Sequence, residues 1–311
     1  MSSEKKWMYI LMTIVVCGWG LEYVFAKNAL ENIETMTLVF IKYIIGAAII
    51  MAYRFRKEGK RFWPRRQDFL VFVVCAIFGE IGYFYCEYSA MSYLPVSLIT
   101  VILSFVPIFS LLIERILYKR KVTGPLLGGV VACVIGVCLI IGADFDLLLS
   151  GRLLGYLFAF GAVLSWNAYN FITVSLHRQY TSLTLTLNQL LCSIILLAPY
   201  AISHFPAREV FTLETVGGVV YLGVMGAAIG FIAQVKALHV LGVTPTSIFS
   251  NFIPVTSTFF GWLFLGEVIS PIQMVGGAII VISATVVIRE KDKMDFAFAA
   301  ATKEGQSEGR E

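Results

Sequence analysis

Apolar residues fill this chain in blocks of roughly 20, separated by short polar and charged stretches. Ten blocks run near 7–27, 36–54, 68–90, 95–118, 124–142, 152–175, 182–202, 212–237, 243–265 and 271–289. Each can cross about 30 Å of hydrocarbon. A backbone in lipid must satisfy its polar groups within the segment, so each block is predicted to be a helix. The pattern also recurs. Residues 90–107 (AMSYLPVSLITVILSFVP) align without gaps on residues 237–254 (ALHVLGVTPTSIFSNFIP), with Ala90/Ala237, Leu94/Leu241, Val96/Val243, Phe105/Phe252 and Pro107/Pro254 identical. The offset of 147 (254 − 107) also pairs Trp19 with Trp166, Gly79 with Gly226, Phe84 with Phe231 and Gly129 with Gly276. A repeat this long means two copies of one structural unit.

Composition sharpens the class. Of 311 residues, 58% are hydrophobic and 14% charged, against about 25% charged in a soluble domain. The fold class is therefore an all-α polytopic membrane protein. The first block follows Lys5 and Lys6 as a signal peptide would, but it contains Glu22 and no A-x-A site follows it. It reads as an uncleaved span.

Charge sets the orientation. Lys5 and Lys6, then Arg54, Arg56, Lys57, Lys60, Arg61, Arg65 and Arg66, then Arg115, Lys119, Arg120 and Lys121, then Arg178, and finally Arg289, Lys291 and Lys293 mark one side. The other side holds Lys27, Arg152 and Arg208 among Glu31, Glu34, Asp144, Asp146 and Glu209. The positive-inside rule puts both termini in the cytoplasm of a cell (inner or plasma) membrane, as ten spans require. Five helices per repeat is an odd number, so the second copy enters from the opposite side. The expected plan is a cytoplasmic N-terminus (1–6), a first five-helix repeat (7–142), an inverted second repeat (152–289) and a polar, mobile cytoplasmic tail (290–311). Many secondary transporters use this plan, with the binding site near midplane between the halves.

With these residues assembled, the chain resembles a drug/metabolite transporter of the EamA type over about residues 7–289. The marks are the Trp19-Gly20 pair followed by Lys27, the central Pro107 and Pro254, Gly266-Glu267 closing the ninth helix, and the glycines opening helices five and ten. The resemblance implies ten helices in two repeats and export of amino acids, other metabolites or drugs, without naming a cargo. Two departures stand out. Arg120 occupies the position where the family often repeats the glutamate of Glu267, and Glu80 and Glu87 in the third helix lie outside its pattern.

An ionisable residue inside a span is costly and marks a candidate site. Glu22 lies 5 residues before the outer end of its helix (27 − 22) and Lys42 lies 6 after the start of the next (42 − 36). Both sit roughly 8–9 Å deep, which predicts an ion pair. Glu80, 10 residues from its outer end (90 − 80), lies about 15 Å deep. Its repeat mate is Ala227, so it has no symmetric partner. It is either a packed acid hydrogen-bonded to a neighbouring helix or a cavity carboxylate that binds a cation or proton. Tyr83, Phe84 and Glu87 share its stripe, and Glu87, the mate of Gln234, is read as a mouth residue paired with Lys27.

The symmetry-related Trp19 and Trp166, with Tyr23 and its mate Asn170 one turn on, are either packing residues or cavity walls. Pro107 and Pro254 remove a hydrogen bond in mid-helix, as hinges or as static kinks. Ser97, Thr100 and Ser104 lead to the first proline, and Thr244, Ser247 and Asn251 to the second, as a hydrated pathway or as interhelical glue. The expected cavity set is Trp19, Glu22, Tyr23, Glu80, Tyr83, Glu87, Ser104, Trp166, Asn170, Gln234 and Asn251. Gly226/Gly230 and Gly128/Ala132/Gly136 read as tight intramolecular packing rather than as dimer seams. Cys17, Cys75, Cys86, Cys133, Cys138 and Cys192 fall in apolar blocks without CxxC or His/Cys clustering, so no metal or cofactor is expected. His177, His204 and His239 lie near helix ends and form no relay.

The reading is a secondary transporter, an exporter of small metabolites such as amino acids or amines, with alternating access around a midplane cavity. Protons are the candidate coupling ion, and the partners are a small-molecule substrate and the lipid bilayer, with no nucleic acid. The chain is expected to act as a monomer or homodimer. A passive channel or facilitator would need rings of like residues. An intramembrane enzyme would need HExxH, GxSxG or paired aspartates, and the sequence has none.

Overall fold

Among the described residues, a helix lies in each of the ten apolar blocks. The computed structural model describes residues 3–59, 63–94, 96–118, 122–141, 153–177, 179–265 and 268–308. Lys60, Arg61, Lys119, Arg120, Lys121, Asp144, Asp146, Arg152, Arg178, Gly266 and Glu267 lie outside these residues, as do the side chains of Tyr23, Lys27, Ser97 and Thr100. The helices are α1 (Ser3–Leu30), α2 (Thr35–Lys57), α3 (69–91), α4 (96–118), α5 (Gly124–Ile141), α6 (Leu153–Leu176), α7 (Ser182–Ser203), α8 (213–240), α9 (243–265) and α10 (Pro271–Glu308). Among the described residues, seven are long and apolar enough to cross a membrane: Thr35–Lys57, Arg66–Glu87, Val101–Tyr118, Leu153–Leu176, Ser182–Ser203, Leu213–Val240 and Pro271–Met294. Gly124–Ile140 is apolar but shorter. For α1 and α9 the crossing rests on the sequence pattern alone. Ile14, Ile44, Ile135, Leu164, Ile195 and Ile282 are exposed on six different helices, a surface that suits hydrocarbon.

The repeat is written into local detail. Glu34 caps α2, accepting the Met36 and Thr37 amides at 2.9 and 3.2 Å. Its mate Thr181 (34 + 147) caps α7 through the Thr184 amide at 3.2 Å. Such caps satisfy amides that a helix start leaves open. Helix α4 breaks at Ser104–Phe105 and α9 at the mates Asn251–Phe252, just before Pro107 and Pro254, which lack the N–H that would continue the ladder. Both α3 and α8 widen into a π-helical segment, Ile77–Gly82 and Leu222–Gly230. Residues 77–82 and their mates 224–229 coincide there. Such segments are rare and frequently mark functional sites.

Contacts between mates locate the symmetry axis, because a residue that touches its own symmetry copy must lie beside the axis. Cys133 Sγ lies 3.9 Å from the Ile280 carbonyl, and Asn251 Nδ2 donates to the Ser104 carbonyl at 3.3 Å; both pairs are 147 apart. Around Cys133 the packing climbs one helix while it descends the other. Gly129 faces the Ser283 carbonyl, and Gly136 faces that of Gly276. Helices α5 and α10 are mates and run antiparallel, so the two repeats are inverted. The Lys5 ammonium reaches Asp292 at 2.7 Å, which brings the start of α1 and the helix beyond residue 289 to one face.

Backbones approach closely at this axis. A Cβ on Gly276 would stand 2.7 Å from the Gly136 oxygen and 2.9 Å from the Ile140 nitrogen. Neither backbone atom can move aside cheaply. Gly276→Ala is expected to cost about 1–3 kcal/mol, read as a lower thermal unfolding midpoint in detergent. At Gly128 a Cβ meets nothing within 4 Å among the described residues, so Gly128→Ala should not lower the midpoint. Gly128 is thus outside the close-packed stripe that its spacing suggests. The four-residue period ignores which face of α5 meets α10.

Candidate functional site

Six helices, three from each repeat, bring their polar midsections together. On α2, Lys42 Nζ lies 3.7 Å from Glu22 Oε1 on α1 and 4.7 Å from the ring centre of Phe84 on α3. Its charge also acts on Glu87, which accepts the Tyr83 hydroxyl at 3.4 Å. The Tyr83 ring lies 5.0 Å from Trp166 on α6. Trp166 continues to Tyr169 at 5.2 Å and to Phe231 on α8 at 6.5 Å. These separations suit cation–π and edge or offset ring contacts. Asn170 and Gln234 are buried and paired at 3.3 Å. The Asn170 amide nitrogen and the Gln234 amide oxygen find no partner among the described residues.

The repeat lets each contact be compared with its mate. The Glu22–Lys42 ion pair maps onto Tyr169 and Gln189 (22 + 147; 42 + 147), where the Tyr169 hydroxyl donates to Gln189 Oε1 at 3.3 Å. Gln189 in turn donates to Thr173 at 2.8 Å. Gly226 leaves room for the Glu22 carboxylate just as its mate Gly79 leaves room for the Tyr169 ring. Trp166 faces Tyr83, whereas its mate Trp19 faces Gly230, whose added Cβ would stand 2.5 Å from the indole Nε1. The two lobes share one scaffold and differ in chemistry: one carries an ion pair, the other a neutral hydrogen-bonded pair. The sequence reading passed over Tyr169 and Gln189, although the 147 offset applied to Glu22 and Lys42 names them.

Glu80 lies in the π segment of α3, fully buried, with no hydrogen-bond partner on either carboxyl oxygen among the described residues. Ser104 and Asn251 meet each other across the two helix breaks. The Ile108 amide bonds Phe105 rather than Ser104, and Asn251 supplies the donor that the freed Ser104 carbonyl needs. Asn251→Ala should cost about 1–3 kcal/mol by stranding that carbonyl, visible as a lower unfolding midpoint with the helix content kept. Beyond the breaks, Ser110 links Asn167 at 2.7 Å and Ser247 at 3.0 Å. Deeper along α4, Glu114 is buried against Lys291 of α10 and accepts the Thr244 amide of α9 at 3.2 Å.

His177 and His239 stack at 4.7 Å just past the end of α6. His177 also bonds the Val235 carbonyl at 2.8 Å. Burial pushes the His177 imidazole down to about 4, so it is neutral near pH 7.

The family model described as "EamA-like transporter family" matches residues 6–142 and again residues 153–289. A relative from Archaeoglobus fulgidus, named "Uncharacterized transporter", is 22% identical over 291 residues, 92% of this chain and 100% of its own. A "Probable terminal-alkyne amino-acid exporter" of Streptantibioticus cattleyicolor is 22% identical over 277 residues, 89% of this chain and 91% of its own. A solved structure described only as "Crystal structure of protein" superposes with a TM-score of 0.78 at 17% identity, covering 93% of this chain and 99% of that one. That likeness shows the fold alone.

Proposed function

The chain belongs to the EamA-like transporter family, a family of membrane transporters, and on that premise we propose that it is a secondary transporter that exports small metabolites. The two inverted halves would alternate access to a site at their meeting, with protons as the coupling ion. The single observation that carries this reading is the cluster around Lys42. One ammonium and the carboxylates of Glu22 and Glu87 lie within a wall of Tyr83, Phe84 and Trp166, contributed by helices of both repeats. Groups of both signs beside rings suit a ligand that carries an amine, a carboxylate and an apolar part. The amino-acid exporter named among the relatives supports that class. The basic loops support a cell-membrane location with cytoplasmic termini, and the Lys5–Asp292 contact supports placing both ends of the bundle on one face.

Proteoliposomes loaded with amino acids or amines test the proposal. Counterflow, in which unlabelled ligand inside accelerates entry of labelled ligand, is expected of alternating access. Flux that follows the gradient with no counterflow would make the chain a facilitator. Single cysteines at Glu34 and Lys60 address orientation: the first should label from outside intact cells, and outside labelling of the second overturns the assignment.

A further inference from the structure

One carboxylate stands apart from the Lys42 cluster. Glu80 is fully buried, and neither of its oxygens meets a donor among the described residues. No Lys, Arg or His side chain among those residues pairs with it. The titratable groups its charge acts on are Cys75 of α3, Tyr169 of α6 and Cys192 of α7. The Ser193 hydroxyl of α7 lies beside it but donates to the Gln189 carbonyl at 3.0 Å. A bare carboxylate without a donor or counter-charge is too costly to persist in such a place. Something positive must accompany it.

The mate of this contact shows that the scaffold does not require it. Glu80 and Ser193 map onto Ala227 and Gly46 (80 + 147; 193 − 147). There the two backbones close up until a Cβ on Gly46 would stand 2.7 Å from that of Ala227. Where one lobe packs methyl against glycine, the other holds a carboxyl beside a hydroxyl inside a widened helical turn. We propose that Glu80 is a proton-binding site, the group that takes up and releases the coupling proton.

The chemistry of the surroundings selects the proton among cations. A hard metal cation needs a shell of several oxygens. Glu80 has only the hydroxyls of Ser193 and Tyr169 and the thiols of Cys75 and Cys192 near it among the described residues, and those residues form no group able to hold a metal ion. A proton needs a single oxygen. In the widened turn the Phe78 carbonyl accepts the Tyr83 amide and, in addition, the Ser165 hydroxyl of α6 at 2.7 Å. A change of charge at Glu80 would thus bear on the α3–α6 contact, one of the contacts between the two repeats. This inference rests on the transporter reading for its purpose, but the site can be tested without any transport.

Infrared difference spectra of the purified full-length chain, taken between acid and alkaline buffers in H2O and D2O, read the site directly. The expected result is a carboxyl C=O band that shifts in D2O, disappears on alkalinisation and is missing in Glu80→Gln. Ser193→Ala should move the band in frequency without removing it, which keeps the test informative if Glu80→Gln folds poorly. A Glu80 band that persists at every pH would make it a sealed packing acid and overturn the proposal. A band abolished at fixed pH by sodium chloride, but not by an equal concentration of choline chloride, would overturn it in favour of a metal-cation site. A chain that shows the expected band yet fails the counterflow test would retire the transport mechanism and leave the proton site standing.

Discussion

Lys291→Met is expected to destabilise the chain by about 3–5 kcal/mol, because it strands Glu114 in a buried place without its cation. Lys291 and Glu114 side chains are 3% and 6% exposed, and they pair directly. Glu114 also accepts the Thr244 amide at the start of α9, so one carboxylate ties α4, α9 and α10 together. The companion variant Glu114→Leu with Lys291→Met removes both charges and should recover most of the loss, since apolar replacement of a whole buried pair is often neutral. Thermal unfolding in detergent reads all three chains. If the single change costs under about 1 kcal/mol, as at an exposed pair, the contact is not a buried tie.

The Glu22–Lys42 pair makes a different test, because the chain carries its own neutral version. Lys42→Gln alone leaves the Glu22 carboxylate, 15% exposed, without its ion partner. A loss of about 3 kcal/mol is expected, at the low end for a buried pair. Glu22→Tyr with Lys42→Gln reproduces the combination that positions 169 and 189 already use on the same scaffold. Gly226 has the role at this site that Gly79 has beside Tyr169, so the ring has a groove to enter. The double variant should therefore regain stability while losing affinity for any ligand that binds through Lys42. Strict additivity of the Glu22→Tyr and Lys42→Gln effects would remove the pair from the energetics. A stable double variant with unaltered binding would remove Lys42 from the site.

Much of this chain was legible without coordinates. Lipid leaves a backbone no partner but itself, so apolar length alone implies helices, and the 147-residue register announces two copies. An odd helix count per copy forces the inversion that the antiparallel α5–α10 packing displays. The same register placed Pro107 and Pro254 at equivalent points, and both helices break just before them. Depth along a helix was enough to bring Glu22 and Lys42 to one level, because rise per residue is fixed.

Contacts between helices far apart in sequence were decided only by tertiary packing. Glu114 and Lys291 lie 177 residues apart, and the basic cluster containing Lys291 reads in sequence as solvated charge at a helix end. Composition cannot distinguish that from a buried pair, since the difference lies in which neighbour covers it. Glu87 lies in the field of Lys42, while the side chain of Lys27, its expected partner, is outside the described residues. The azimuth of α3 against α2 sets that, and helical period does not reveal it. Glu80 shows both sides of the division. Its depth and its missing symmetric partner could be counted along the chain. That neither oxygen finds a donor among the described residues depended on how α6 and α7 close around a widened turn, and such closure is a property of the packed bundle rather than of any one segment.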